Sequence, residues 1–240
     1  HRRVLSYVDL ANPECVSVGV LFHSNALADY NVCDVGALLC PGLDLASAHG
    51  KKTLYLMRHG QTLFNLQHKI QGWCDSPLTE LGIKQAKVAE KWFKDHDITF
   101  DHAYSSTSER CCDTLELVTD MPYVRTKGLK ENYYGELEGE SERLNSHLTP
   151  KDCETFYLQY KGESSNTTRD RMVKTLTDIM SKEDHHSVLA VSHGGACFNF
   201  LRAFQDPMEE LKKGFGNCCI FIYEFDNGTF TLKDVIRHQI

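Results

Sequence analysis

Two histidine-glycine pairs stand at the ends of apolar runs in this chain. Arg58-His59-Gly60 follows Leu54-Tyr55-Leu56-Met57, and His193-Gly194-Gly195 follows Val188-Leu189-Ala190-Val191-Ser192. Each unit reads as a buried strand that passes through His-Gly into a helix. Ligands of open α/β sheets gather at the carboxyl ends of the strands, so both imidazoles and the Arg58 guanidinium are expected at one edge. A histidine beside a cation there describes a site for an anion that the histidine attacks, and phosphate is the obvious one. A His-Gly pair by itself carries little weight, because a tight turn also asks for glycine.

Further residues turn the pairs into a pattern. Gln61, Thr62 and Asn65 follow the first pair within one helical turn. Ser105-Ser106 ends a short apolar stretch and leads into a helix bearing Arg110. Together, Arg58-His59-Gly60-Gln61-Thr62-x-x-Asn65, Ser105-Ser106-x-x-x-Arg110 and Ser192-His193-Gly194-Gly195 resemble the histidine phosphatase superfamily, in its phosphoglycerate-mutase-like branch. The resemblance extends to Gln71-Gly72-Trp73-x-Asp75-Ser76-Pro77-Leu78-Thr79 and to Glu131-x-x-Tyr134-Gly135-x-x-Glu138-Gly139, and covers residues 52–240.

The resemblance implies a division of labour. His59 is the nucleophile, forming a phosphohistidine that water resolves. Arg58 and Arg110 offer planar forks to the phosphoryl oxygens, and His193 donates to the same group. Asn65, Gln71, Gly72 and Gly194 are carried over as further phosphate or substrate contacts, although Gln71 and Gly72 fit ordinary turn positions equally well. The helix starting near Gly195 adds backbone amides. Four carboxylates, Glu131, Glu136, Glu138 and Glu140, crowd one loop. The resemblance places the general acid at Glu131, with Glu136 and Glu138 as alternatives and the rest as a solvated acidic surface.

Three functions share this pocket: a phosphomonoester hydrolase, a phosphoglycerate mutase, and a non-catalytic phosphate-binding module. Mutases of the branch carry a basic residue soon after the Tyr-Gly segment and an arginine- and proline-rich insertion. Here Gly139 is followed by Glu140-Ser141-Glu142, and Gly162-Glu163-Ser164 with Arg171 resembles the phosphatases. The hydrolase reading leads, and the natural substrate is expected to be a small phosphorylated metabolite.

The elements that must position these residues are legible as alternation. Thr79 is expected to cap a helix reaching about residue 95, with Gly82, Ala86, Ala89 and Phe93 inward. Strands are expected at 101–104 and 122–125. A helix with Met172, Val173, Leu176 and Ile179 on one face precedes the second histidine strand. A helix at 195–204 and strands at 218–224 and 230–235 close the chain. Alternating strands and helices predict an α/β, three-layer sandwich with a mostly parallel central sheet. Residues 126–168 form an irregular inserted cap in which Thr149-Pro150 starts a helix, and Cys153, Phe156, Tyr157 and Tyr160 form a packing stripe.

With 240 residues, 41% of them hydrophobic, the chain has room for one domain and an extension. A net charge of −7 argues against a nucleic-acid or anionic-membrane surface. No apolar run approaches the ~18–20 residues of a membrane helix. Ten cysteines show no Cys-x-x-Cys spacing, and reduced thiols suit a cytoplasmic enzyme. The catalytic domain is expected at 51–240, leaving 1–50 as an extension of unknown role, in which the apolar stretch 35–43 resembles a leader without its basic flank. No His, Cys or carboxylate spacing reads as a metal site, and no cofactor is expected. Turnover should therefore survive exhaustive chelation; loss with EDTA and recovery with a divalent ion would overturn the arginine-based account of charge compensation.

Overall fold

The computed structural model describes residues 50–240, together with the backbone of two strands, β1 (Val4–Val8) and β2 (Val16–Val20). These two pair antiparallel, Val4 opposite Val20, within a unit of their own. No element is expected there from the sequence pattern. Their Val-rich composition is typical of strands. The 35–43 stretch lies outside the described residues.

The second unit, His49–Ile240, is built on a six-stranded sheet. Its strands are β3 (Lys52–Arg58), β4 (His102–Ser106), β5 (Val124–Thr126), β6 (Ser187–Ser192), β7 (Ile220–Asp226) and β8 (Thr229–Ile236), in the spatial order β5-β4-β6-β3-β7-β8. The pairings β5/β4, β4/β6 and β6/β3 are parallel; β3/β7 and β7/β8 are antiparallel. The sheet is thus mixed with a parallel majority, as expected.

Strand periodicity of two divides the core. Leu54, Leu56, Val188, Ala190, Phe221 and Tyr223 pack against α4 (Ser165–Met180) and α5 (Gly194–Leu201). On the other face Met57, Leu189, Val191 and Ile220 meet α2 (Glu80–Asp95) and α3 (Glu109–Val118). Two short helices, α1 (Leu63–Leu66) and α6 (Met208–Lys212), complete the set. Thr79 caps α2 by accepting from the Gly82 N–H at 3.0 Å, and the buried residues of α2 are Gly82, Ala86, Ala89 and Phe93.

The helix expected from Thr149-Pro150 does not form. The segment makes two 3-10 helices, Asp152–Glu154 and Phe156–Tyr160, ending at Lys161 with φ of 60°. The Asp152 carboxylate accepts from both the Thr149 N–H (2.8 Å) and hydroxyl (2.7 Å), closing a tight turn instead of an α-helical one. Tyr157 still packs inward, with Ile70 and Leu137, and Phe156 and Tyr160 lean on that small cluster.

One backbone contact sets where β3 releases the chain. A Cβ on Gly60 would sit 2.6 Å from the Gly82 carbonyl oxygen, and one on Gly82 would collide with the Gln61 carbonyl. The His59 turn and the start of α2 therefore touch main chain to main chain. Gly82→Ala is expected to cost about 1–3 kcal/mol through overpacking, read as a lower urea midpoint with an unchanged m-value.

Candidate active site

Parallel pairing of β3 with β6 puts Arg58 opposite Ser192, so His59 and His193 leave neighbouring strands at one level. The His59 N–H donates to the Ser192 carbonyl at 3.0 Å, and the two imidazole centroids lie 5.4 Å apart. His59 Nδ1 is 2.7 Å from the Gly60 carbonyl. A carbonyl only accepts, so Nδ1 carries the proton and Nε2 presents a lone pair. Burial, then the charges of Arg110 and Arg58, hold the pKa of His59 well below the ordinary histidine value. The ring is held neutral and oriented, with the Nε2 lone pair available.

Arg110 is completely buried, and each of its five N–H groups has a protein acceptor. Nε points at His59 Nε2 (3.3 Å). Nη1 donates to the Cys74 carbonyl and to Asp75 Oδ1, both at 2.9 Å. Nη2 donates to the Gly72 carbonyl (2.7 Å) and to His193 Nδ1 (2.8 Å). A guanidinium cannot accept, so His193 Nδ1 is the acceptor and its proton sits on Nε2, 2.8 Å from Ser106 Oγ. Burial and Arg110 keep His193 neutral as well. The Arg110 fork thus holds the loop 72–75 and both histidines, with its Nε edge toward His59 Nε2. For His193 to donate toward a phosphoryl group, Nδ1 must gain a proton, which a neighbouring dianion favours.

Glu131 is also buried. Its oxygens accept from the Asn132 N–H and the Gly195 N–H, each at 2.9 Å. Burial raises its pKa, against the pull of those two amides and of Arg110 and Arg58. The α5 amide expected to face phosphate is thus donated to Glu131. A Cβ on Gly195 would come within 2.7 Å of the carboxylate, so the approach requires glycine.

A cavity of about 520 Å³ opens over these groups, and Arg58, His59, Asn65, Gln71, Glu131 and Gly194 are among its lining residues. Arg110 and His193 lie beneath it. Arg58 donates Nη1 to the Phe215 carbonyl at 2.6 Å, while its buried Nε has no partner. Asn65 returns its side-chain oxygen to the Thr62 N–H, closing a capping box at α1. Gln71 is held by Thr62 and Ser76. Gly72 does not line the cavity: its N–H goes to Glu138 and its carbonyl to Arg110, so it supports the arginine.

The family model described as "Histidine phosphatase superfamily (branch 1)" matches residues 54–237. The chain belongs to this superfamily. It is 33% identical over 175 residues to a 2,3-bisphosphoglycerate-dependent phosphoglycerate mutase of Rhizobium meliloti, covering 67% of this chain and 81% of that protein. The Lactobacillus acidophilus enzyme of the same name is 36% identical over 197 residues, covering 66% and 84%. Among solved structures, phosphoserine phosphatase from Entamoeba histolytica, in complex with 3-phosphoglyceric acid, superposes with a TM-score of 0.65 at 28% identity. The match covers 78% of this chain and 98% of that one. Relatives of this superfamily member thus carry both mutase and phosphatase names.

The residues that hold the superfamily site in shape were mostly not singled out from sequence. Asp75 binds Arg110 through Oδ1 and caps the first turn of α3 by accepting the Glu109 N–H at 2.6 Å. Arg171 reaches the Gly128, Lys130 and Glu131 carbonyls and pairs with Glu163 at 2.5 Å, which fixes the segment leading to Glu131. Glu138 is no solvated neighbour: its two oxygens accept from the Gly72, Trp73, Cys74 and Tyr134 N–H groups at 2.8–3.1 Å. Asp75, Glu138 and Arg171 all stood in quoted motifs, and an acid immediately before a glycine, Glu138 before Gly139 with its φ of 80°, was the available signal. Glu136, by contrast, is exposed and pairs with Lys161.

Folding does assemble one cluster that spacing concealed, His102, Asp184 and His185, at the amino ends of β4 and β6, away from the site. The two rings stack at 3.6 Å and 9°, and each has a nitrogen near the Asp184 carboxylate, at 3.0 Å for His102 Nε2 and 2.8 Å for His185 Nδ1. Nothing there reaches the chemistry.

Glu138→Gln turns an amide NH₂ toward two backbone donors, leaving them unsatisfied. It should cost about 1–3 kcal/mol of stability and, by loosening Arg110, roughly 10- to 100-fold in kcat/KM toward p-nitrophenyl phosphate. Glu136→Gln measured beside it should match the wild type.

Proposed function

We propose that this chain is a metal-independent phosphomonoester hydrolase that works through a phosphohistidine on a small phosphorylated metabolite. The observation that carries the reading is the pairing of two opposite shifts in one cavity: a histidine kept unprotonated with a fixed tautomer, and a carboxyl group pushed toward its protonated form. Groups whose environments drive their pKa values apart are a nucleophile or base and an acid.

His59 Nε2 attacks phosphorus in line with the ester oxygen. The P–O bond breaks as the N–P bond forms, and Glu131 gives its proton to the leaving alkoxide. Glu131, now a carboxylate, takes a proton from water as that water attacks the phosphohistidine, releasing inorganic phosphate and restoring the acid. Arg58, with its free buried Nε, and Arg110 supply the positive charge. In this reading the substrate is neither nucleic acid nor membrane lipid. The seven described cysteines are free thiols, which fits the cytoplasm as its location.

A second reading, phosphoglycerate mutase, is favoured by the names of the curated relatives. Against it stands Glu142, an acidic side chain on the cavity wall after the Tyr-Gly segment, where the resemblance expects a base in mutases. Incubation with 2,3-bisphosphoglycerate-primed 3-phosphoglycerate separates the two, since the hydrolase yields phosphate and no 2-phosphoglycerate. Phosphate-free protein that binds but never turns over would leave the non-catalytic module.

General acid catalysis is worth ~10²–10⁴-fold when a basic oxygen departs. Glu131→Gln should therefore slow an alkyl phosphate by that order while slowing p-nitrophenyl phosphate far less. Rapid quench with labelled substrate should trap an acid-labile phosphoryl group that His59→Ala lacks. Equal loss on both esters would reduce Glu131 to a binding role, and full activity of His59→Ala would end the nucleophile assignment.

A further inference from the structure

The end of the sheet away from the catalytic cavity carries the cluster of His102, Asp184 and His185. His102 begins β4, and Asp184 and His185 stand in the turn that leads into β6. Main chain brings the two segments together. Parallel pairing sets His102 beside Val188, and the Asp101 N–H donates to the Ser187 carbonyl at 2.9 Å. The Asp101 carboxylate accepts from the His186 and Ser187 N–H groups at 2.7 and 3.0 Å, and the Ser187 hydroxyl donates to the Thr99 carbonyl at 2.7 Å. The six residues of β6, at about 3.3 Å each, separate this junction from His193.

Both imidazoles address one carboxylate. One ligand atom of each of the three residues lies within 4.8 Å of the other two. Zinc binds nitrogen and oxygen at ~2.0–2.2 Å, which spaces tetrahedral ligands about 3.3–3.5 Å apart, so adjustments of roughly an ångström close the set around one ion. The rings are parallel, and an ion in the plane of one is out of the plane of the other until one of them turns. His102 is one-third exposed and has room to turn, and the Asp184 side chain is largely exposed. His185 is buried and held: its Nε2 lies 2.7 Å from the Tyr104 hydroxyl, whose oxygen accepts from Lys182 Nζ at 3.1 Å. A histidine that ligates through one nitrogen needs an acceptor for the N–H on the other. Once Nδ1 is given to a metal, the ring proton moves to Nε2 and the Tyr104 hydroxyl oxygen is that acceptor. Two imidazoles and a carboxylate are a donor set for zinc and not for calcium or magnesium, which take oxygen.

We propose that His102, Asp184 and His185 bind a zinc ion, with water completing a four-coordinate shell, and that the ion ties the start of β4 to the turn before β6. The site is independent of the hydrolase reading and has no part in turnover, so chelation leaves the catalytic rate in place.

Cobalt(II) is the probe, because its visible absorption reports the type of ligand and zinc, the tighter binder, displaces it. The untagged full chain, stripped with a chelator and dialysed, should take up cobalt with d–d bands and no thiolate-to-cobalt charge-transfer band, and zinc should abolish those bands. His102→Ala and Asp184→Ala should each weaken uptake by at least about 10- to 100-fold. Tyr104→Phe, which keeps all three ligands and removes only the outer acceptor, should cost about 10- to 100-fold. His186→Ala, an exposed neighbour outside the set, should leave uptake unchanged, and His102→Ala should hydrolyse p-nitrophenyl phosphate at the wild-type rate. A wild type without bands in excess cobalt overturns the proposal. A thiolate charge-transfer band does the same by placing the ion on a cysteine. So does uptake that persists in both His102→Ala and Asp184→Ala, and its loss in His59→Ala would then move the ion to the catalytic histidines.

Discussion

A guanidinium with no access to water must find an acceptor for every N–H it carries. Arg110 does so by gathering the loop 72–75, one nitrogen of His59 and one of His193 around itself. Much of the site's geometry follows from that requirement. The tautomer of His193 is dictated by it, because the arginine leaves Nδ1 no choice but to accept. So is the shape of the Gly72-Trp73-Cys74 turn, whose Gly72 and Cys74 carbonyls face Arg110 while its N–H groups face Glu138. The buried cation is balanced directly by a single carboxylate, Asp75, which is itself shared with the start of α3.

The same desolvation acts in opposite directions on neighbouring groups. It disfavours the charged form of each, so the buried imidazoles shift down and the buried Glu131 carboxyl shifts up. The arginines deepen the first effect and oppose the second. Burial therefore outweighs the arginines and two backbone amides at Glu131, and the fold obtains a base-like and an acid-like group within one cavity without a metal ion being required for the difference. Cysteines in the same interior respond alike, with the Cys74 and Cys218 thiols pushed up to about 12, which makes them inert packing residues rather than competing nucleophiles.

The cap shows how local chemistry overrides pattern. Thr149-Pro150 satisfies the rule for a helix start, yet the Asp152 side chain competes for the same backbone donors and tightens the segment into 3-10 turns. What survives is the inward placement of Tyr157, because apolar burial tolerates either helix type. The compact cap in turn brings Glu142 and Asn145 to the cavity wall, so the region with the least readable periodicity supplies its outer surface.

Periodicity and turn chemistry by themselves determined the sandwich, its parallel majority, the capped helix from Thr79 and the delivery of Arg58, His59 and His193 to strand ends. Those properties depend on residues close in sequence, where spacing translates directly into facing. Tertiary structure alone decided which polar groups share a partner. Glu138 and Glu131 sit seven positions apart in one acidic loop, and composition makes them alike. One ends up under four backbone N–H groups brought from 72–74 and 134, the other under two, beside a pair of arginines. Likewise, the Arg110 donors and the Gly195 amide were free to face phosphate until the fold supplied nearer acceptors. A hydrogen-bonding group's role depends on its nearest partner in space, and that distance is set by packing between segments that the sequence holds tens of residues apart.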